Sequence, residues 1–247
     1  MSTPSTSSTI ALITGANKGL GFETARQLGK RGIHVIIGAR DAARGAEAVK
    51  KLAAEGISAA AIAIEVTDHN SVVAAVKEVE RRHGHLDILI NNAGILDYAA
   101  DTGPATTSVA HFRKSFETNF FGLVSVTQSF LPLLRKSVAG RIVNLSSILG
   151  SITEHADKNS PIYLKNFPAY DTSKAAVNLY TVELAQALAD TPIKVNAVHP
   201  GWVKTDMGGE SAPMEIADGV KTSVALATIG ADGPTGGYFH MGVHLRW

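Results

Sequence analysis

The sequence contains no cysteine, which excludes disulfides and thiolate chemistry. Charge of neither sign dominates: 23 Lys and Arg stand against 22 Asp and Glu, a formal net charge of +1. No global field draws such a chain to nucleic acid or to an anionic membrane, so any anion site must be local. No apolar run approaches the length needed to span a bilayer. The nine histidines show no metal-ligand spacing and no HExxH pattern, so no metal site is expected. Met1–Thr9 is rich in Ser and Thr and lacks the basic and apolar regions of a signal peptide. It reads as a flexible tail, and a cytoplasmic location is the expectation.

Strand and helix patterns alternate along the rest of the chain. Short β-branched runs predict strands at Ile10–Thr14, His34–Gly38, Ala61–Val66, Leu86–Asn91, Arg141–Ser146 and Lys194–His199, with a last one near Gly237–Met241. Helical spacing covers Leu20–Lys30, Asp41–Glu55, Ser71–His83, Val109–Lys136, Ala169–Ala189 and, more weakly, Met214–Ala227. This alternation implies βαβ units and a doubly wound parallel sheet of about seven strands with helices on both faces. The strands are apolar throughout, as strands covered on both sides must be. With no repeat and no linker, residues 10–247 read as one domain. Two segments break the pattern. Residues 151–168 are polar and Pro-bounded, and residues 205–213 carry Gly208, Gly209 and Pro213; long irregular segments in compact domains are usually functional. The first reads as an inserted loop and the second as a substrate lid.

The first strand runs into Thr14-Gly15-Ala16-Asn17-Lys18-Gly19-Leu20-Gly21 and then a helix. Glycines there let backbone turn tightly against a pyrophosphate, and the helix N-terminus supplies free N–H groups and partial positive charge. The spacing is GxxxGxG, not GxGxxG. A glycine-rich turn without a ligand is the bland alternative, but its place at the first β–α junction favours a Rossmann-type nucleotide site. The second strand ends at Gly38-Ala39-Arg40-Asp41. A guanidinium there suits a ribose 2′-phosphate, whereas an NAD site would hold a carboxylate. Asp41 is either that carboxylate or the N-cap of the next helix. With Lys18 as a second cation nearby, the N-cap and an NADP(H) site are preferred.

Tyr170 and Lys174 are four residues apart at the start of a predicted helix, so they share a face. A phenol titrates near 10, and a neighbouring ammonium favours its ionised form. Other polar or glycine-bearing strand ends converge on the same sheet edge: Asn91-Asn92-Ala93-Gly94, Ser146-Ser147 and His199-Pro200-Gly201. Tyr98 and Trp202 either line a pocket or belong to the core.

These motifs, with Asn119 in Thr118-Asn119-Phe120-Phe121-Gly122 and Trp202-Val203-Lys204-Thr205 after Gly201, resemble the short-chain dehydrogenase/reductase family from Ile10 to about Met241. The general look is closest to its carbonyl-reductase-like, NADP-preferring members. The resemblance implies that Tyr170 is the general acid/base, that Lys174 lowers its pKa and holds the nicotinamide ribose, that Ser147 rather than Ser146 polarises the carbonyl, and that Asn119 anchors a relay water. It implies cofactor contacts at Gly15, Asn17, Lys18, Gly19, Leu20, Gly21, Arg40, Glu65, Val66, Asn92, Ala93, Gly94, Tyr170, Lys174, Pro200, Gly201, Val203 and Thr205. Glu65 stands where the family has an adenine-contacting Asp. The interval from Ser147 to Tyr170 is longer than usual, and Met241–Trp247 does not match the ending of acyl-carrier-protein reductases.

The function expected is NADPH-dependent, reversible reduction of a ketone or aldehyde. The alternatives are a secondary-alcohol dehydrogenase, a 3-oxoacyl-carrier-protein-type reductase and a nucleotide-binding regulatory protein. An epimerase would need a larger C-terminal domain, and a regulator should have lost part of the Tyr/Lys/Ser/Asn set. The partner expected is a small carbonyl or alcohol substrate, with no nucleic acid and no membrane. A homodimer or homotetramer is consistent with the apolar helices Phe116–Leu134 and Ala175–Leu188, and a monomer with residues 151–168 covering that face.

Overall fold

The computed structural model describes residues 9–247, so all but the last residue of the expected N-terminal tail lies outside it. In chain order the elements begin β1 (Ile10–Thr14), α1 (Gly19–Gly29), β2 (His34–Ala39), α2 (Ala42–Ala54), β3 (Ala59–Ala63), α3 (His69–His83) and β4 (Ile88–Asn91). They continue α4 (Val109–Phe116), a π-helical stretch (Glu117–Gly122), α5 (Leu123–Leu134), β5 (Arg141–Leu145), a 3-10 turn (Ile148–Gly150), α6 (Ile152–Ala156) and α7 (Pro168–Ala187). The last are β6 (Lys194–Val198), α8 (Ile216–Gly219), α9 (Lys221–Ala227), β7 (Tyr238–His240) and β8 (Val243–His244).

One sheet orders these strands β3-β2-β1-β4-β5-β6-β7-β8. β1 to β7 pair in parallel, and the short β8 adds an antiparallel edge against β7. The direction of winding reverses between β1 and β4, and ligands of open α/β sheets bind beyond the strand ends at such a crevice. Successive side chains of each strand face opposite ways. Ile10 and Leu12 therefore join Phe130 of α5, Val79 of α3 and Leu188 below one face. Ala11 and Ile13 join Leu28 of α1, Leu52 of α2 and Val224 of α9 on the other. Each such Leu or Ile contributes about 1.5–3 kcal/mol on burial.

Several boundaries differ from the sequence reading. β3 begins at Ala59 and stops at Ala63, because its opening alanines lack the β-branching that marks a strand. The long helix expected over Val109–Lys136 is interrupted by the π-helical stretch. The helix expected over Met214–Ala227 is two short ones, α8 and α9. Residues 151–168 are not wholly irregular: α6 forms there, capped by Ser151 Oγ accepting from Glu154 N at 3.1 Å.

Residues 245–247 hold that segment down. Ser151 Oγ donates to Arg246 O at 2.9 Å and Thr153 N to Trp247 O at 2.9 Å. The Arg246 guanidinium reaches Glu154 at 2.7 Å and Asp157 at 3.2 Å. Trp247 stacks on the buried Tyr238, ring centroids 5.3 Å apart. The segment therefore packs beside β7 and β8. It leaves Phe121 and Leu179 of the helical face 53% and 60% exposed, so it does not shield those positions from a second subunit.

Candidate active site

A cavity of about 1220 Å³ opens at the carboxyl end of the sheet. The turn after β1 forms its floor. Gly15 and Gly19 take φ of +64° and +57°, a region open to glycine and costly for other residues. At Gly21 a Cβ would lie 2.6 Å from Asn92 Nδ2 and 2.8 Å from Ala16 Cα, so only glycine lets α1 start this close to the neighbouring loop. Asn92 joins the two strand ends, donating from Nδ2 to Thr14 O at 2.8 Å and Gly15 O at 3.2 Å. Thr14 Oγ1 accepts from the N–H groups of Asn92 and Ala93 in return. No side chain caps α1, and Gly19, Leu20 and Gly21 of its first turn line the cavity. That arrangement fits a pyrophosphate.

Most of the expected cofactor residues meet here. Gly15, Asn17, Lys18, Arg40, Glu65 and Val66 line one half of the cavity; Asn92, Ala93, Gly94, Tyr170, Lys174, Pro200 and Thr205 line the rest. Gly201 and Val203 are not among its lining residues. Gly201 makes a turn at φ +96° against Met214. Val203 is buried behind the wall, against Gly219.

At the far end, Asp41 is committed as the N-cap of α2. Its carboxylate accepts from Ala43 N at 2.9 Å and Arg44 N at 3.0 Å, and the Arg44 N–H holds it below the usual carboxylate range. Arg40 reaches Glu65 at 3.4 Å. Glu65 also accepts from Thr67 N and Oγ1. Arg44 is a second guanidinium on the cavity wall. The sequence reading missed it, although four residues after Arg40 is one helical turn. Lys18, which lines the cavity along with Arg40, pairs with Asp206 of the 205–213 segment, bridging the glycine turn to that segment.

At the near end, α7 presents Tyr170 and Lys174 on one face. Burial pushes the Tyr170 phenol above its ordinary range, hydrogen bonding toward Ser147 pulls it back, and the Tyr98 and Asp171 charges raise it. Lys174 lies with its ammonium 5.6 Å from the Tyr170 ring centroid. It donates to Leu145 O at 2.8 Å, and burial lowers it to about 8. The ammonium is aimed at a carbonyl, and burial disfavours the charged form of both groups.

Ser146 and Ser147 part company. Ser146 Oγ is buried and donates to Asn178 Oδ1 at 2.5 Å. Ser147 Oγ accepts from Leu149 N at 3.2 Å and lies beside the Tyr170 phenol. Asn119 lies in the π-helical stretch. Its side chain is fully engaged: Oδ1 accepts from Ile95 N at 2.8 Å, and Nδ2 donates to Ile95 O and Ser173 Oγ at 3.0 Å each. It fixes the loop carrying Gly94, where a Cβ would stand 3.5 Å from Lys174 Nζ. Thr205 Oγ1 accepts from Gly208 N at 3.1 Å.

Tyr98 and Phe167 meet edge to face at 5.1 Å, and Lys165 sits 5.4 Å over the Trp202 ring. No group of three or more His, Asp or Glu that could hold a metal occurs among the described residues, and no helix among them is long and apolar enough to cross a membrane. Asp101, which caps α7 through the N–H groups of Ala169 and Tyr170, has no signature in sequence and was missed.

Comparison with known proteins gives concordant findings. The family model described as short chain dehydrogenase matches residues 9–216. Short-chain dehydrogenase anuI of Penicillium roqueforti (strain FM164) is 39% identical over 228 residues, covering 90% of this chain and 89% of that protein. Carbonyl reductase 1 (NADPH) of Bos taurus is 34% identical, covering 98% of this chain and 100% of its own. That alignment runs over 281 positions against 247 residues here, so the bovine protein carries segments that this chain lacks. Among solved structures, NADPH-bound carbonyl reductase from chicken fatty liver superposes with a TM-score of 0.84 at 28% identity, covering 97% of this chain and 98% of that one.

Proposed function

The chain belongs to the short-chain dehydrogenase family, and from that premise we propose that it reduces a ketone or aldehyde to the alcohol with NADPH. The observation that carries this reading is the meeting of Tyr170 and Lys174, with Ser147 beside the Tyr170 phenol, at one end of a glycine-floored cavity whose other end is lined by Arg40 and Arg44. The NADPH named for the bovine relative and bound in the chicken structure supports the choice of cofactor.

In this reading the N–H groups at the start of α1 hold the pyrophosphate, and Arg40 with Arg44 takes the 2′-phosphate through charge-assisted bonds. Asp41, spent as a cap, offers no carboxylate to a ribose 2′-hydroxyl. NADPH, when bound, supplies the hydride. Ser147 donates a hydrogen bond to the substrate carbonyl oxygen, and Tyr170 gives that oxygen its proton, so hydride and proton together convert C=O to CH–OH. A phenol is protonated at neutral pH and so carries the proton this direction requires. Asn119 and Lys174 fix the neighbouring backbone at Ile95 and Leu145. Tyr98 and Phe167 form an apolar wall that excludes water and reads substrate shape.

The test is NADPH consumption against a panel of ketones, aldehydes, quinones and steroids, with NADH in parallel. Wild type should prefer NADPH. Arg40→Asp should cut kcat/KM for NADPH by about tenfold to a hundredfold, the loss of one or two charge-assisted hydrogen bonds. A wild type that prefers NADH would overturn the cofactor assignment, and inactivity on every carbonyl would overturn the reaction.

A further inference from the structure

The turn of α7 that presents Tyr170 has no cap of its own. Phe167 occupies its N-cap position and makes no capping bond, so the N–H groups of Ala169 and Tyr170 depend on an outside acceptor. Asp101 provides it from the loop that follows β4. Its Oδ1 accepts from Ala169 N at 3.1 Å and its Oδ2 from Tyr170 N at 2.9 Å. The residue is 3% exposed. Thr107 Oγ1 donates to the same Oδ1 at 3.2 Å, and Asp101 N is held by Asp97 O at 3.0 Å.

Each donor here meets its own carboxylate oxygen, whereas an amide would offer one oxygen and turn an N–H donor group toward the other N–H. The partial positive charge of the helix N-terminus offsets part of the cost of burying that carboxylate. Three residues earlier, Tyr98 packs its ring on Phe167. The loop is therefore joined to α7 at two points, one polar and one apolar.

We propose that Asp101 is a positioning residue for the reaction. It fixes the height of Tyr170 relative to the wall formed by Ile95 and Tyr98, setting the acid and the substrate pocket from one carboxylate. This rests on the reductase reading above. A displacement of about 1 Å can cost on the order of a hundredfold in rate, whereas the phosphate end of the cofactor cavity is built by the turn after β1 and by α1, Arg40 and Arg44 and should not respond.

The test compares Asp101→Asn and Asp101→Ala with wild type. Competent sites are counted by NADPH titration, kcat is expressed per competent site, and hydrogen exchange is followed in the absence of cofactor and substrate. Expected is a fall in kcat per site of about tenfold or more, larger for Ala than for Asn, with NADPH affinity unchanged. Exchange should accelerate together in residues 96–107 and 168–173. If kcat per site stays at the wild-type value while only Tm falls, Asp101 is a helix cap and the proposal is overturned. Unchanged exchange in both segments overturns it equally. If Asp101→Ala does not fold, Asp101→Asn, with one acceptor oxygen left, decides. A wild type inactive on every carbonyl removes the reductase reading instead, and exchange alone still decides whether Asp101 ties the loop to the helix.

Discussion

Ser146 and Ser147 differ by one position and face opposite tasks. Ser146 is locked to Asn178 inside the protein, whereas Ser147 influences the Tyr170 phenol directly. Ser147→Ala should lower kcat by about a hundredfold to a thousandfold, as loss of a donor to the reacting oxygen does, with Tm near wild type. Ser146→Ala should do the reverse: it strands a buried Asn178 oxygen, costs about 1–3 kcal/mol of stability, and leaves kcat per folded site nearly intact. Steady-state kinetics and thermal melts on the two variants check this, and equal losses of kcat would refute the division. At this scale much of the site was legible, because chemistry requires Tyr170, Lys174 and the glycines of the first turn at fixed spacing. Asp101 was not. A lone acid between Ala100 and Thr102 carries no local signal, and its importance exists only once the β4 loop meets α7.

Among the elements, the sheet was readable because its strands are continuous apolar runs bounded by turns. The π-helical stretch was not. Apolar spacing continues through Phe116–Leu123, so periodicity reports an unbroken helix. Its last residue, Gly122, packs closely on Val66: a Cβ there would lie 2.9 Å from Val66 Cγ2. The 151–168 segment was legible as an irregularity, but its fastening to residues 245–247 was not, since that depends on bonds across 95 positions. A double variant, Arg246→Ala with Trp247→Ala, tests the fastening. Limited proteolysis within 151–168 should accelerate and the ranking of carbonyl substrates by kcat/KM should change, while NADPH affinity holds. If cleavage rate and ranking both match wild type, the tail does not govern the segment.

For the molecule as a whole, one buried carboxylate ties stability to pH. Burial raises Asp171 to about 7, the Asp101 charge adds to the rise, and the Phe167 N–H opposes it. His155 is a further titratable neighbour, at 3.6 Å. The folded protein therefore holds this proton more tightly than the unfolded chain does. The group's contribution is complete below the unfolded value near 3.8 and is lost as pH rises through about 7. Asp171→Asn cannot ionise. Its Tm relative to wild type should thus rise between about pH 5 and about pH 8, by roughly 2–8 °C for a difference of about 1–2 kcal/mol. A Tm difference that stays constant across that range would show that Asp171 does not titrate there. The fastening of residues 245–247 has a further consequence, in time rather than in space. Chains are made from the N-terminus at about 5–20 residues per second. Glu154 therefore leaves the synthetic machinery roughly 5–20 seconds before Arg246, which follows 92 positions later. When Glu154 emerges, β1 to β5 and the nucleotide turn have already been made, while β6, β7 and β8 are still to come. A nascent chain would thus carry the phosphate end of its cofactor cavity well before the flank fastened by Arg246 can close.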